Sequence, residues 1–179
     1  MMSICKGKIV LVIGGARSGK SSFALKSADS KTGKKAYIAT AQAFDTEMEE
    51  RIKRHKNERP DDWATLEEPL NIAYALGEAV NKYDVVLIDC LTLWLSNLMH
   101  AGRDVDAEID RFVNFLKDPE LRPDKYELFL VSNEVGMGIV PENRLSRQFR
   151  DFAGVLNQKI AQVADEVYLM AAGIATKIK

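Results

Sequence analysis

The sequence predicts an α/β fold, a mostly parallel sheet flanked by helices, and three observations carry that prediction. Short apolar runs alternate with amphipathic or polar stretches, as expected of strands covered on both faces by crossover helices. The first run, Ile9-Val10-Leu11-Val12-Ile13, passes directly into the glycine-rich stretch Gly14-Gly15-Ala16-Arg17-Ser18-Gly19-Lys20-Ser21, which opens a helix. The ending Gly173-Ile174-Ala175-Thr176-Lys177-Ile178 alternates weakly and reads as an antiparallel edge strand at the C-terminus, paired with Val167 to Met170.

In chain order, strands are expected at 8–13, 35–39, 84–89, 126–132 and 166–171, each a short run rich in apolar residues. Helices are expected over Ser21–Ala28, Asp45–Lys56 and Leu70–Asn81, which supplies crossovers between the parallel strands. Val105, Ile109, Phe112, Val113 and Leu116 recur at helical spacing, as do Leu145, Phe149, Phe152, Leu156 and Ile160, so both stripes should face the core. Asp118 to Asp124, with two prolines, reads as a loop before a strand and not as a domain linker.

At 179 residues with 46% hydrophobic content, the chain suits one ordinary globular domain, 1–179, with a sizeable core. A net charge of -1 gives no global attraction to nucleic acid or to an anionic membrane, so any phosphate binding must come from local groups. Cys5 and Cys90 are too few for a disulfide framework or a metal-binding quartet. Met1 to Lys8 lacks the apolar core of a secretory signal and no later run approaches a membrane span, so a cytoplasmic protein without membrane insertion or a nucleic-acid partner is expected.

The glycine-rich stretch fits G-x-x-x-x-G-K-[ST], in which the backbone curls so that successive N–H groups converge on phosphate oxygens at a helix N-terminus. Lys20 would reach the β- and γ-phosphates, and the Ser21 hydroxyl would take a magnesium ion bridging them. The expected fold is therefore a phosphate-loop NTPase fold, RecA-like in kind. Val85-Val86-Leu87-Ile88-Asp89 reads as a buried parallel strand ending on a carboxylate, on the sheet edge where ligands of α/β folds bind. Asp89 would orient magnesium as a Walker B aspartate does, or cap a helix beginning near Leu91-Thr92; beside a phosphate loop the metal role is favoured. Cys90 reads as a small core residue, since no basic partner stands near it in sequence.

The segment from Asp45 to Lys56 begins with acids and ends with bases, which complements a helix dipole, and Asp45 is placed to act as its N-cap. Met48, Ile52 and His55 stand at i, i+4 and i+7, so His55 continues the apolar stripe and should face protein or a cleft. Arg51, Lys53, Arg54, Lys56 and Arg59 surround it with positive charge. On spacing alone His55 is a half-buried histidine on a basic helix; the alternative is a nucleophile, since a neutral imidazole can attack phosphorus while neighbouring cations stabilise the phosphate.

Taken together, the phosphate loop, Tyr37-Ile38-Ala39-Thr40-Ala41, Glu47-Met48 through Arg51-Ile52 to His55, and Arg59-Pro60 with Trp63 resemble one family closely. Ser132-Asn133-Glu134-Val135-Gly136-Met137-Gly138-Ile139-Val140-Pro141 and Arg144 match its second long signature, followed by Arg147, Phe149, Arg150, Asp151, Gly154 and Asn157. The family is the bifunctional adenosylcobinamide kinase / adenosylcobinamide-phosphate guanylyltransferase of cobalamin biosynthesis, and the resemblance spans nearly the whole chain. Some members carry an adjacent pair of histidines where this chain has Arg54-His55.

The resemblance implies two reactions. ATP or GTP would phosphorylate the hydroxyl of the aminopropanol arm of adenosylcobinamide, and GMP would then pass from GTP through a guanylyl-histidine, here His55, to give adenosyl-GDP-cobinamide. It implies a nucleotide site made of Gly14, Gly15, Ala16, Arg17, Ser18, Gly19, Lys20, Ser21, Ala39, Thr40, Ala41, Lys56, Asn57, Glu58, Arg59, Glu67 and Asp89, with Mg2+ at Ser21 and Asp89. It also implies a homotrimer. The Asn133–Pro141 segment follows a strand, so it is either close to ligand at the sheet edge or a tight connection to a helix opened by Pro141 and Glu142. The competing readings are a single-function phosphate-loop small-molecule kinase and a nucleotide-dependent switch.

Overall fold

The computed structural model describes residues 7–43, 45–57, 59–118 and 126–179. Glu58, Cys5 and positions 119–124 of the expected loop lie outside the described residues.

The chain runs β1 (Lys8–Gly14), α1 (Lys20–Asp29), β2 (Lys35–Ala39), α2 (Thr46–Asn57), β3 (Trp63–Glu67), α3 (Ile72–Val80), β4 (Val85–Asp89), α4 (Leu91–His100), α5 (Val105–Lys117), β5 (Glu127–Asn133), α6 (Arg144–Val163), β6 (Glu166–Ala171) and β7 (Ile174–Lys177). The strands form one seven-stranded sheet in the order β3-β2-β4-β5-β1-β6-β7. Every neighbouring pair is parallel except β6 and β7, which are antiparallel. This is the mostly parallel phosphate-loop NTPase fold, with the expected antiparallel pair at the C-terminus.

Alternation along the strands divides the core. Ile9 and Leu11, Val86 and Ile88, and Leu128 and Leu130 turn to one face, where they pack with Leu76 of α3, Trp94 of α4, Phe112 of α5 and Leu156 of α6. Val10 and Val12, Val85 and Leu87, and Phe129 and Val131 turn to the other, against Ala24 and Ala28 of α1. Apolar residues on both sides of each strand are the reason the central strands read as continuous hydrophobic runs. Within the larger cluster the Trp94 ring meets Phe112 at 5.6 Å between centroids, and its indole N–H donates to the Leu70 carbonyl at 2.8 Å.

The edge strand β3 departs from the expected elements. Trp63-Ala64-Thr65-Leu66-Glu67 buries little beyond Trp63, and its polar flanks leave it no clear apolar run. It pairs parallel with β2, with Ala39 opposite Glu67. A second difference lies after β5. The helix opens at Arg144 rather than at Pro141 and Glu142, because Asn143 is the cap: its side chain accepts from the N–H groups of Leu145 and Ser146.

The register brings strand ends together. Ala39 lies opposite Asp89, Asp89 opposite Val131, and Gly14 opposite both Asn133 and Met170. The carboxyl ends of β1, β2, β3, β4 and β5 thus share one edge, where the phosphate loop, Asp89 and Asn133 emerge.

Candidate functional site

The loop between β1 and α1 is held by steric necessity. A side chain on Gly14 would stand 2.4 Å from the Met170 carbonyl oxygen and 2.7 Å from the Ser18 hydroxyl. Gly19 caps α1 at φ 91, a left-handed conformation that favours glycine. Arg17 also takes positive φ, at 56. The turn between β6 and β7 braces the loop from outside, with the Gly173 N–H donating to the Ser18 carbonyl at 3.1 Å.

Lys20 is buried, and its ammonium donates to the Gly15 carbonyl at 2.7 Å. Burial lowers its pKa from the ordinary value of 10.5, an effect partly opposed by the nearby Cys90 and Asp89. The Ser18 hydroxyl is buried and finds no hydrogen-bond partner among the described residues, so the loop keeps an unsatisfied polar atom beside its curled backbone.

Across the sheet edge, Asp89 does not cap α4. Cys90 is the N-cap, without a side-chain bond. The Asp89 carboxylate accepts from the Tyr37 hydroxyl at 2.9 Å, and the Arg59 guanidinium lies over the Tyr37 ring at 3.7 Å. Burial first, and then the Asp89 charge, push the Tyr37 hydroxyl well above its usual 10, so it stays protonated and donates throughout the physiological range. Cys90 is buried, and desolvation followed by the Asp89 charge raises its thiol to about 11. That fits a core residue and not a thiolate nucleophile.

The α2 helix supplies the third wall. Asp45 accepts from the Met48 N–H at 2.7 Å, which makes it the expected N-cap. Its far end is tied to the sheet by an ion pair between Lys56 and Glu67, and the Lys56 ammonium holds the Glu67 carboxyl below its ordinary 4.5. Arg59 donates to the Thr65 hydroxyl at 3.2 Å.

A cavity of about 780 Å³ opens between these walls, and Lys20, Ser21, Asp89, Asn133, His55 and Lys56 all line it. Met48 and Ile52 line it beside His55, so the apolar stripe of α2 does turn inward. A smaller hollow of about 320 Å³ continues past His55 toward Ser21, Tyr37 and Arg59. Of the expected site residues, Ala39, Ala41, Arg59 and Glu67 also line the main cavity. Asn57 is exposed and lines neither hollow.

Thr40 is placed differently from its lining neighbours. It is fully buried, its hydroxyl donates to the Cys90 carbonyl and accepts from the Cys90 N–H, both at 2.8 Å, and its carbonyl accepts from Asn97. It locks the end of β2 to the end of β4 and thereby fixes Asp89. Asn133 lines the cavity, as the ligand-side reading of its segment expects, and Tyr37, Leu93 and Gln42 line it without standing among the expected site residues. The signal for Tyr37 in the sequence is weak, because only the register of β2 beside β4 places it against Asp89. Asn133 is oriented by Thr92, whose hydroxyl accepts from its amide at 2.8 Å.

Ser21 and Asp89 offer a hydroxyl and a carboxylate to one cavity, hard oxygen donors of the kind magnesium takes when nucleotide phosphates supply the remaining ligands. The donor set therefore fits the ion.

A phosphate loop at the end of β1, a carboxylate at the end of β4 and a cavity between them define a nucleotide-binding protein of the phosphate-loop class. Residues 10–178 match the family model CobU, described as cobinamide kinase / cobinamide phosphate guanyltransferase. The chain is 43% identical to the bifunctional adenosylcobalamin biosynthesis protein CobU of Salmonella typhimurium, covering 96% of this chain and 99% of that one. Against CobU of Escherichia coli the identity is 40%, over 96% of this chain and 99% of the relative. Against CobP of Pseudomonas aeruginosa it is 42%, over 94% and 96%. Among solved structures, the VirB11 ATPase of the Brucella suis type IV secretion system superposes with a TM-score of 0.48 at 14% identity, over 96% of this chain and 47% of that one. The chain belongs to the CobU family, and its activities are those of a cobinamide kinase and cobinamide-phosphate guanylyltransferase in adenosylcobalamin biosynthesis.

Proposed function

We propose that both transfers use the one cavity, with His55 as the covalent guanylyl carrier. The observation that carries this reading is that His55 lines the same cavity as Lys20, Ser21 and Asp89, so a triphosphate seated on the loop presents its phosphates to the imidazole. Lys20 leaves the Gly15 carbonyl to hold the β- and γ-phosphates, and the loop N–H groups neutralise phosphate charge. Ser21 and Asp89 would hold a Mg2+ ion brought with the triphosphate, which when bound would supply charge neutralisation at the transferring phosphate.

In the kinase reaction the hydroxyl of the aminopropanol arm of adenosylcobinamide attacks the γ-phosphorus of ATP or GTP, and the nucleoside diphosphate leaves. In the second reaction the His55 imidazole attacks the α-phosphorus of GTP, expelling pyrophosphate and leaving GMP bonded to a ring nitrogen. The phosphate made in the first reaction then attacks that phosphorus, forming adenosyl-GDP-cobinamide and freeing His55. Lys56 and Arg59 flank the α-phosphate and offset its charge.

Gly14 to Ser21, Ala39 to Ala41, Lys56 to Arg59, Glu67 and Asp89 are assigned to the nucleotide on the family resemblance, with Thr40 acting through Asp89. The same resemblance supports a homotrimer, while chain length and composition support a single domain, and the few cysteines and short apolar runs support the cytoplasm. Among the described residues no helix is long and apolar enough to cross a membrane.

The test is covalent labelling with α-labelled GTP. The label should stay on the denatured protein, be released by acid, and be absent from His55→Ala, while γ-phosphoryl transfer to cobinamide persists. Guanylyl transfer without any protein-bound label would remove His55 from the mechanism.

A further inference from the structure

Among the described residues, a cluster of exposed apolar side chains lies directly beyond the cavity. Val135, Met137, Ile139, Val140 and Leu145 are all exposed, Ile139 at 95% and Met137 at 79%. A groove of about 280 Å³ follows, lined by Ser96, Met99, His100, Leu145, Ser146 and Phe149. Exposed apolar clusters of this kind mark binding surfaces.

Polar contacts fix the segment while its apolar side chains point outward. The Glu134 N–H donates to the Gly14 carbonyl at 2.9 Å, which ties its start to the end of β1. The Glu134 carboxylate accepts from the Gly136 N–H at 2.6 Å. At the far end Arg147 donates to the Pro141 carbonyl at 3.0 Å and to that of Glu142. The surface is thus preformed beside the phosphate loop.

We propose that Val135–Val140 and the adjoining groove form the platform for the corrin macrocycle of the cobinamide substrate. The proposal rests on the reading of the cavity as the nucleotide site. Pockets of about 300–1,000 Å³ enclose one drug-sized ligand. At about 780 Å³ the cavity suits a nucleotide and a short reacting arm, but not a macrocycle as well. The ring must therefore rest on a rim with only its arm inside. On the α2 rim the solvent-facing residues are Glu49, Glu50, Lys53 and Arg54, a charged surface. The rim continued by Asn133 is the apolar one, and a corrin ring offers broad apolar faces with an amide-bearing edge. Asn133 joins the two regions, since it lines the cavity and immediately precedes the platform.

The experiment uses Met137→Asp and Ile139→Asp, at side chains so exposed that folding is not at risk. The readouts are the KM for cobinamide in the kinase reaction, the KM for the nucleotide, self-labelling by α-labelled GTP, and hydrodynamic mass. The expected result is a rise of tenfold or more in the cobinamide KM, with nucleotide KM, self-labelling and mass unchanged, and with Ile139→Leu restoring wild-type behaviour. An unchanged cobinamide KM overturns the platform. So does a rise accompanied by a change of mass, which would make the segment a contact between copies of the chain. Loss of self-labelling in the unsubstituted protein strikes the nucleotide and His55 reading instead, and is visible without any corrinoid present.

Discussion

Tyr37→Phe removes one oxygen atom from the wall of the cavity and leaves the ring in place. The stack under Arg59 at 3.7 Å and the edge contact with Trp63 at 6.4 Å between centroids both survive the change. What is lost is the 2.9 Å hydrogen bond that Tyr37 donates to Asp89. A hydrogen bond to a charged group contributes about 1.5–3 kcal/mol, and because Asp89 lines the cavity, water replaces part of the loss. The expected cost to folding is therefore at the low end, about 1–1.5 kcal/mol. A second expected effect is on magnesium. A carboxylate free to rotate holds the ion less well, and a loss of about 1 kcal/mol corresponds to roughly a fivefold rise in the magnesium needed for half-maximal rate. Because burial and Asp89 keep the hydroxyl protonated well beyond 10, the difference between the two proteins should not vary between pH 6 and 9. Urea unfolding and magnesium titrations of nucleotide binding measure both quantities. Superimposable magnesium curves with unchanged stability would refute the account of Tyr37 as the residue that positions Asp89.

Gly14→Ala should destabilise the protein by about 1–3 kcal/mol or more in thermal unfolding and weaken nucleotide binding, because the added methyl meets the Met170 carbonyl at 2.4 Å. Gly15→Ala is the matched control: nothing stands within 4 Å of its added methyl, so stability should hold. Glu166 bonds Lys177 at 2.6 Å and Lys8 at 2.8 Å, and these partners pull its carboxyl from 4.5 to about 2. Its contribution is therefore present above about pH 4.5 and lost as pH falls toward 2. Glu166→Gln should lower the urea midpoint at pH 7, and the gap to wild type should close between those values.

The central strands were legible because apolar residues on both faces of β1, β4 and β5 make unbroken runs, and the phosphate loop was legible because its glycines and Lys20 stand at fixed spacing. The strand β3 was not, since an edge strand that buries only Trp63 deeply carries little hydrophobic signal. The α2 stripe placed His55 toward a cleft, but nothing in its spacing says that the cleft also holds Ser21 and Asp89. That follows from sheet order, which sets β2 beside β4 and inserts β5 between β4 and β1. Tyr37 escaped notice as a site residue for the same reason: its partner Asp89 is distant in sequence and adjacent only across the β2–β4 ladder.

The measurement closest to the central claim is a chase. Protein labelled with α-labelled GTP is freed of nucleotide and then given cobinamide phosphate. If His55 carries GMP between two transfers in one cavity, the label should leave the protein and appear in the corrinoid product, as fast as turnover requires. Label that stays on the protein while the same enzyme forms product from GTP would contradict the account.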